Sequence, residues 1–318
     1  MEKDNSIFRM LSQHDPSEFR LMVDSGAWQA YNNGTKVDID KYCDFIQTIP
    51  SEWETQVVQL DVIADPVKTY DNWQYMMDRG INTIPVFTRG TSLNYLDQFY
   101  EHSDIVLFGG MVKGGKSLAY LKWLLQNNQE RPTHWLGVTN MDFIRYYKPA
   151  SVDSSYSNMA RVYGRLSYYQ GNGKFKIMDS KDFITKPPRS YFDTFSYMGY
   201  STEQIMSLAS NEAWHGNQRE FIESGRADDG VVKSGERGVA DLLCRAAHVY
   251  RQFVVEANIG TRIFHANTTA NSMIPLFYVH DRFHKSGHVD QIAQQVQKSK
   301  NNASSDQRHS TLKMDSRV

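Results

Sequence analysis

The sequence predicts an α/β protein built around a parallel β-sheet. Within the first 155 of its 318 residues, short apolar runs alternate with amphipathic stretches, and polar turns separate them. Strands that alternate with helices pair in parallel, because each helix carries the chain back to the start of the next strand. The runs are almost continuously apolar, which is typical of strands buried on both faces.

Six strands are predicted in this region. They cover residues 19–27, 57–65, 82–87, 104–110, 133–139 and 151–155. No G-x-G-x-x-G motif follows the first strand, so the dinucleotide-binding form of an open sheet has no support. Polar or glycine residues recur instead near the strand ends, at Asp24, Asp61, Gly109-Gly110, Gly137 and Asp153. A (β/α)₈ barrel assembles its active site at such ends, and we therefore predict a TIM-barrel-like fold.

Helices are predicted between these strands from caps and apolar spacing. Asp38 is the predicted N-cap of the first helix. Asp65-Pro66 begins the second, which ends at Gly80. The third passes through Leu93, Leu96 and Phe99, and the fourth runs from Ser117 through Leu118, Leu121 and Leu125.

The pattern weakens after residue 155. A hairpin is predicted over 168–178 around a Gly-Asn-Gly turn, and helices over 202–222 and 236–256. The barrel domain with its helical additions is predicted to span 1–298. Residues 299–318 are polar and lack periodicity, which predicts a disordered tail.

Composition excludes several classes of protein. Two cysteines, Cys43 and Cys244, exclude a disulfide scaffold and a four-cysteine metal site, and they favour a cytoplasmic protein. No run of 18 apolar residues or signal-peptide pattern occurs, so no membrane association is expected. The formal net charge of −1 argues against a uniformly basic nucleic-acid binder but permits a local basic patch. The spacing of His280, His284 and His288 would place them on one face of a helix. Gly287 interrupts that helix, and no metal site is predicted.

Two carboxylates stand at predicted strand ends beside small residues. Asp24 lies in Asp-Ser-Gly-Ala-Trp-Gln, and Asp153 lies in Ser-Val-Asp-Ser-Ser. Each alone is also explained as an aspartate that caps a turn. Two carboxylates facing one another across a barrel mouth are suited to breaking a glycosidic bond.

Paired glycines bring backbone close to a ligand. Gly109 and Gly110 could therefore contact the edge of a purine-like base, and Asp61 could accept hydrogen bonds from the same base. An alternative for Asp61 is an N-cap or a partner of a nearby basic residue.

Gly110–Ser117 also matches the P-loop pattern G-x-x-x-x-G-K-[ST], between a predicted strand and helix. A convincing acidic strand end for Mg²⁺ is missing downstream, where Asp179 is the best candidate. A P-loop would also leave Asp24, Asp61 and Asp153 without a role. If the chain is not an NTPase, Lys113 and Lys116 are natural contacts for polynucleotide phosphates.

Five motifs, taken in order, resemble those of the guanine transglycosylases, the superfamily of queuine and archaeosine tRNA-ribosyltransferases. They are Asp-Ser-Gly-Ala-Trp-Gln (24–29), Leu-Asp (60–61), Phe-Gly-Gly-Met (108–111), His-Trp-Leu-Gly-Val (134–138) and Ser-Val-Asp-Ser (151–154). The chain is most similar to the DpdA-like branch of bacteriophages, which exchanges guanine in DNA for a 7-deazaguanine. The resemblance covers residues 20–165.

The resemblance implies a TIM barrel and a role for each matched residue. Asp153 would be the nucleophile that forms a covalent sugar–aspartate intermediate, and Asp24 would transfer protons. The base would be held by Ser25, Gly26, Asp61, Gly109, Gly110 and Met111, with Leu136, Gly137 and Val138 as the pocket wall. Two features depart from the family: this chain has no cysteine-rich zinc site, and Thr88-Arg89 stands where the tRNA enzymes have a glutamine.

The predicted function is therefore base exchange on a polynucleotide, DNA rather than tRNA, with a free 7-deazaguanine as second substrate. No cofactor is expected, because the same type of bond is broken and made. A P-loop NTPase and a non-catalytic barrel that binds nucleic acid remain alternatives.

Overall fold

The computed structural model describes part of the chain. The described residues are 6–110, 116–138, 141–154, 166–171, 174–178, 201–209, 245, 249, 252–266, 270–285, 287, 290, 291, 294, 297 and 298. The chain divides into two compact units, residues 1–154 and 155–318. The tail predicted for 299–318, and with it the domain boundary at 298/299, lies outside the described residues.

Six short strands organise the first unit. They are β1 (Leu21–Val23), β2 (Thr55–Val57), β3 (Val86–Phe87), β4 (Val106–Phe108), β5 (Thr133–Trp135) and β6 (Ser151–Ser154). Each lies within or overlaps a predicted strand but is shorter. The largest difference is at β2: the prediction began at Val57, whereas the strand ends there, and the apolar run continues as a loop towards the next helix.

All pairings among these strands are parallel and follow chain order. β1 pairs with β2, and β3, β4, β5 and β6 pair in succession. An isolated parallel bridge between Val58 and Ile84 links the two sets. The predicted α/β class with a parallel sheet is confirmed.

Gln59 stabilises the seam between the two sets of strands. Its backbone N–H donates to the Ile84 carbonyl at 3.1 Å. Its fully buried side chain donates to the Thr69 carbonyl and accepts from the Val86 N–H, both at 2.9 Å. One amide side chain thus satisfies the backbone N–H of Val86 on β3 and the backbone carbonyl of Thr69 in the helix that follows β2.

Helices follow the strands along the chain. They are α1 (Ser6–Leu11), α2 (Ala27–Asn32), α3 (Ile39–Gln47), α4 (Pro66–Asp78), α5 (Asn94–His102), α6 (Lys116–Asn127) and α7 (Met141–Tyr147), with a 3₁₀ turn at Pro16–Glu18. In the described part of the chain, no helix is long and apolar enough to cross a membrane.

The predicted helix ends are confirmed where caps specified them. The Asp38 carboxylate accepts from the N–H groups of Asp40 and Lys41 at the start of α3. Asp65 caps α4 by accepting from the Lys68 N–H, and Pro66 occupies the first helical position. Gly80 follows the end of α4 with φ +73°, a left-handed conformation that suits glycine. The short α1, α2 and α7 were not predicted.

The central strands are buried on both faces. Every residue of β3, β4 and β5 is buried. On β5 the indole N–H of Trp135 donates to the Thr133 hydroxyl at 3.0 Å on one face, and His134 points to the other. Continuous burial explains why the sequence shows unbroken apolar runs here instead of alternation.

The second unit is described in separate segments. β7 (Leu166–Gly171) and β8 (Lys174–Met178) pair antiparallel, which confirms the predicted hairpin, and its turn residues 172–173 lie outside the described part. α8 (Thr202–Ala209) confirms the start of the helix predicted over 202–222. Residues 252–259 are helical, so the helix predicted to end at 256 continues further. β9 (Arg262–His265) and α9 (Ala270–Lys285) complete the segments, and α9 ends before Gly287, as predicted.

We expect Gln59→Ala to destabilise the first unit by about 3 kcal/mol, because it leaves a buried N–H and a buried C=O without their partner. Urea denaturation followed by tryptophan fluorescence measures the change. Gln47→Ala, at the exposed end of α3, is the matched control and should change the free energy of unfolding by less than about 0.5 kcal/mol. Equal effects of the two substitutions would show that Gln59 does not stabilise the seam.

Candidate active site

Parallel pairing brings the carboxyl ends of the six strands to one edge, and the predicted site residues lie along it. Asp24 directly follows β1, and Asp153 belongs to β6. Asp61 lies four residues beyond the end of β2, next to the loop that enters α4. The charge of Asp153 raises the pKa of Asp24, and the charge of Asp24 raises that of Asp61, so Asp24 lies within electrostatic reach of both other carboxylates.

Asp153 is held by the neighbouring strand. The backbone N–H of Gly137, just past β5, donates to Asp153 Oδ1 at 2.5 Å. Gly137 has φ +68°, a left-handed conformation that favours glycine, where the chain leaves β5. Gly137 was predicted as part of a pocket wall; in the structure it anchors a carboxylate. The Asp153 side chain remains 23% exposed and therefore accessible to a substrate.

His134 is a site residue that sequence reasoning did not single out. Its side chain is fully buried on β5, with Nδ1 2.8 Å from Ser151 Oγ and Nε2 3.6 Å from Asp153 Oδ1. The available signal was a histidine placed within the otherwise apolar run Thr-His-Trp-Leu-Gly-Val. Such a residue is buried only where polar partners receive it.

Asp24 combines water access with desolvation. The residue is exposed, yet the protein packed around it partly desolvates the carboxylate. Desolvation and the Asp153 charge raise its pKa. The backbone N–H groups of Ser25 and Gly26 and the nearby His134 act in the opposite direction. Gly26 permits this turn with φ +73°, and Ser25 Oγ accepts from the Ala27 N–H at 3.2 Å.

Asp61 has the more strongly shifted carboxyl group. Desolvation, followed by the charge of Asp24, raises its pKa to about 6. The alternatives of a helix cap or an ion pair do not describe it: Asp65 caps α4, and Asp61 makes none of the ion pairs found among the described residues. A carboxyl group that titrates close to neutral pH can hold or release a proton under physiological conditions.

Tyr42 supports the floor of the site. Its buried hydroxyl donates to the carbonyls of Val58 at 2.8 Å and Val23 at 3.1 Å, so it ties the ends of β1 and β2 together. Desolvation and the charge of Asp24 raise its pKa. Tyr42 therefore remains a neutral hydrogen-bond donor beneath the carboxylates.

The glycine pair after β4 has two different surroundings. Gly109 is buried, its N–H donates to the Phe87 carbonyl at 3.0 Å, and a Cβ there would lie 3.2 Å from Val86 Cγ1. Close packing and the strand ladder therefore account for Gly109, and its N–H is not available to a ligand. Gly110 is exposed and has φ +77°. It is the member of the pair that a ligand can reach.

Of the other predicted site residues, some belong to the described part of the chain and some do not. Val138 is buried and Leu136 half-buried beyond β5. Met111 and Lys113 lie outside the described residues, and of Lys116 only the backbone is described, as the first residue of α6. Arg89 is exposed beside Gly110 and lies over the Tyr120 ring at 4.8 Å from its centroid.

An exposed aromatic pair lies on α2, which follows Asp24 in the chain. Trp28 and Tyr31 on α2 are 37% and 49% exposed, and their rings stack with centroids 6.1 Å apart and planes at 23°. Exposed flat surfaces of this kind suit the stacking of a nucleobase. Within the described ranges, no group of three His, Cys, Asp or Glu side chains is arranged to hold a metal ion.

Comparison with known proteins returns no family model, no curated protein and no solved structure that matches this chain. The site is therefore interpreted from its own geometry.

The raised pKa of Asp61 predicts how the free energy of unfolding depends on pH. Because the group binds its proton more tightly in the folded chain than at the ordinary value of 3.8, its ionisation destabilises the fold as the pH rises through about 6. Asp61→Asn should therefore raise the free energy of unfolding near pH 8, by up to about 3 kcal/mol, and change it little near pH 4.

Urea denaturation at both pH values measures this difference. Asp104→Asn, at an exposed aspartate before β4, is the matched control and should have no pH-dependent effect. A stabilisation of the Asp61 variant that is the same at both pH values would contradict the assignment.

Proposed function

We propose that the chain is a guanine transglycosylase that exchanges guanine in a polynucleotide, DNA in preference to tRNA, for a free 7-deazaguanine. The observation that supports this most directly is the cluster at the strand ends: one accessible carboxylate held by a backbone N–H, beside two carboxyl groups with raised pKa values. This combination supplies a nucleophile and a proton carrier, the two groups that exchange at a glycosidic carbon requires.

We further propose that the six strands belong to a (β/α)₈ barrel. Their chain-order, parallel pairing supports it, because right-handed crossovers would place every intervening helix on the same face of the sheet. An open sheet with its strands in chain order would have no helices covering its other face. The strands β3, β4 and β5 are buried on both faces, as expected for a sheet that closes on itself.

In the first step, an Asp153 carboxylate oxygen bonds to the sugar C1′ as the bond from C1′ to guanine N9 breaks. The electron pair stays on N9, and Asp24 gives its proton to the departing base. The raised pKa of Asp24 supports this role, since a carboxyl group must hold a proton before it can donate one.

In the second step, the ionised Asp24 takes the N9 proton of the incoming base, whose nitrogen attacks C1′. The bond from C1′ to Asp153 breaks and the carboxylate leaves with its electron pair. Two displacements at one carbon retain its configuration, which a nucleic acid needs if the new base is to pair. No net oxidation or hydrolysis occurs, so the reaction needs no cofactor.

The remaining residues at the carboxyl ends of the strands recognise the base. Ionised Asp61 accepts from the ring N–H and the exocyclic amine of guanine, and the backbone at Gly110 contacts its carbonyl edge. Leu136 and Val138 provide apolar walls, and the exposed Trp28 offers a surface on which the base stacks. Phosphate contacts are assigned to Lys113 and Lys116, and the target nucleotide must leave the base stack to reach C1′.

Asp153→Asn keeps the shape of the side chain and removes the nucleophilic charge, so it should abolish exchange and leave DNA affinity unchanged. The test is a denaturing gel of the full chain with labelled single-stranded DNA or tRNA and no incoming base. The wild type should give a protein–nucleic acid adduct that Asp153→Asn does not form. Asp24→Asn should slow exchange by about 100-fold or more because proton transfer is lost.

The control for these variants is Asp104→Asn, which should behave as wild type. Mass spectrometry of nucleosides after incubation with 7-deazaguanine bases identifies the exchanged product. Full exchange by the Asp153→Asn protein would show that another residue is the nucleophile. A wild-type chain that forms no adduct and exchanges no base would overturn the proposed function.

The match of Gly110–Ser117 to a P-loop supports a second candidate, an NTPase. We expect no saturable binding of Mg²⁺–ATP in equilibrium dialysis. Lys116→Ala should weaken DNA binding and reduce its salt dependence by about one phosphate contact. Lys122→Ala, exposed on α6, is the control. Mg²⁺-dependent ATP binding that Lys116→Ala abolishes would favour the NTPase.

A further inference from the structure

We propose that His134 is the positioning residue for Asp153, and that together with Gly137 it occupies Oδ1, so that Oδ2 is the oxygen that attacks the sugar. This inference rests on the proposed function, since it assigns a role to each carboxylate oxygen in that reaction.

The strand register places the three side chains together. Residue 134 pairs with Ser151 across β5 and β6. Ser151 and Asp153 are two residues apart on one strand and therefore point to the same face. The fully buried imidazole thus has the Ser151 hydroxyl at 2.8 Å on Nδ1 and the Asp153 carboxylate at 3.6 Å on Nε2. On the β4 side its register partner is the buried, apolar Leu107.

These contacts select one tautomer of the ring. A carboxylate accepts hydrogen bonds only, so the nitrogen that faces it must present an N–H. The proton therefore lies on Nε2, and Nδ1 accepts from the Ser151 hydroxyl. The hydrogen bond at one ring nitrogen determines the proton at the other, as is general for histidine.

Both donors approach the same carboxylate oxygen. Gly137 N lies 2.5 Å from Oδ1, and His134 Nε2 lies 3.6 Å from it. The backbone contact is a hydrogen bond, whereas the imidazole contact is a longer, electrostatic one. With Oδ1 engaged twice, Oδ2 is left to bond to C1′. When the adduct breaks down, the charge that returns to the carboxylate is stabilised by the same two donors.

His134 also offsets repulsion among the acids. The charge of Asp153 raises the pKa of Asp24, and His134 acts on Asp24 in the opposite direction. The imidazole therefore offsets part of the effect that Asp153 has on Asp24.

Two substitutions separate the ring's contacts. His134→Asn keeps an acceptor for Ser151 at the position of Nδ1 and removes the N–H towards Asp153. His134→Gln places an amide N–H near the position of Nε2. Single-turnover adduct formation should fall by about 100-fold in the Asn variant, and the Gln variant should recover at least about a tenth of the wild-type rate.

A merely structural role would instead lower the affinity for DNA, which is expected to stay at the wild-type value in both variants. His102→Asn, the same substitution at an exposed histidine on α5, is the control for rate. Adduct formation at the wild-type rate in His134→Asn would overturn the inference while leaving the proposed function intact. Absence of any adduct in the wild type would overturn the proposed function instead.

Nitrogen-15 NMR of the imidazole tests the arrangement without activity. We expect the resonance that disappears in His134→Gln to report the Nε2–H tautomer in the wild type, and Ser151→Ala to mix the two tautomers. A wild-type ring with its proton on Nδ1 alone would overturn the proposed geometry, whether or not the chain exchanges bases.

Discussion

Parallel pairing of strands in chain order is the constraint on which the rest of the first unit depends. It brings the carboxyl end of every strand to one edge, so residues more than a hundred positions apart in the chain become neighbours. At the seam between β2 and β3, the pairing consists of one isolated bridge, and the side chain of Gln59 adds hydrogen bonds there. A single buried amide there satisfies backbone groups of two elements, which places the loop of Asp61 relative to the β3–β6 strands.

The same constraint creates an electrostatic cost. Desolvation raises the pKa values of Asp24 and Asp61, and the charges of Asp153 on Asp24 and of Asp24 on Asp61 raise them further. The fold offsets part of this with a backbone N–H from Gly137 and the imidazole of His134 beside Asp153. Carboxyl groups with raised pKa values beside an accessible carboxylate are an arrangement that nucleophilic and proton-transfer chemistry uses.

Different physical constraints explain why glycine occupies each position in the predicted motifs. Gly109 is explained by packing against Val86, since a side chain would meet it at 3.2 Å, and its N–H belongs to the strand ladder. Gly137 adopts a left-handed conformation, and its N–H donates to Asp153. Gly110 combines a left-handed conformation with exposure. Neighbouring glycines within one motif are therefore explained by different physical constraints.

The sequence by itself determined the α/β class, the helix starts at Asp38 and Asp65, and the placement of Asp24, Asp61 and Asp153 near strand ends, because caps and apolar runs are local signals. Strand bounds such as those of β2 were decided by tertiary pairing, since an apolar run looks the same in a strand and in a buried loop. Only the tertiary structure decided that His134 and Gly137 converge on Asp153, and that Ser151 contacts the other ring nitrogen of His134. The register between β5 and β6 determines these contacts. That register depends on pairing between segments that are separated in the sequence.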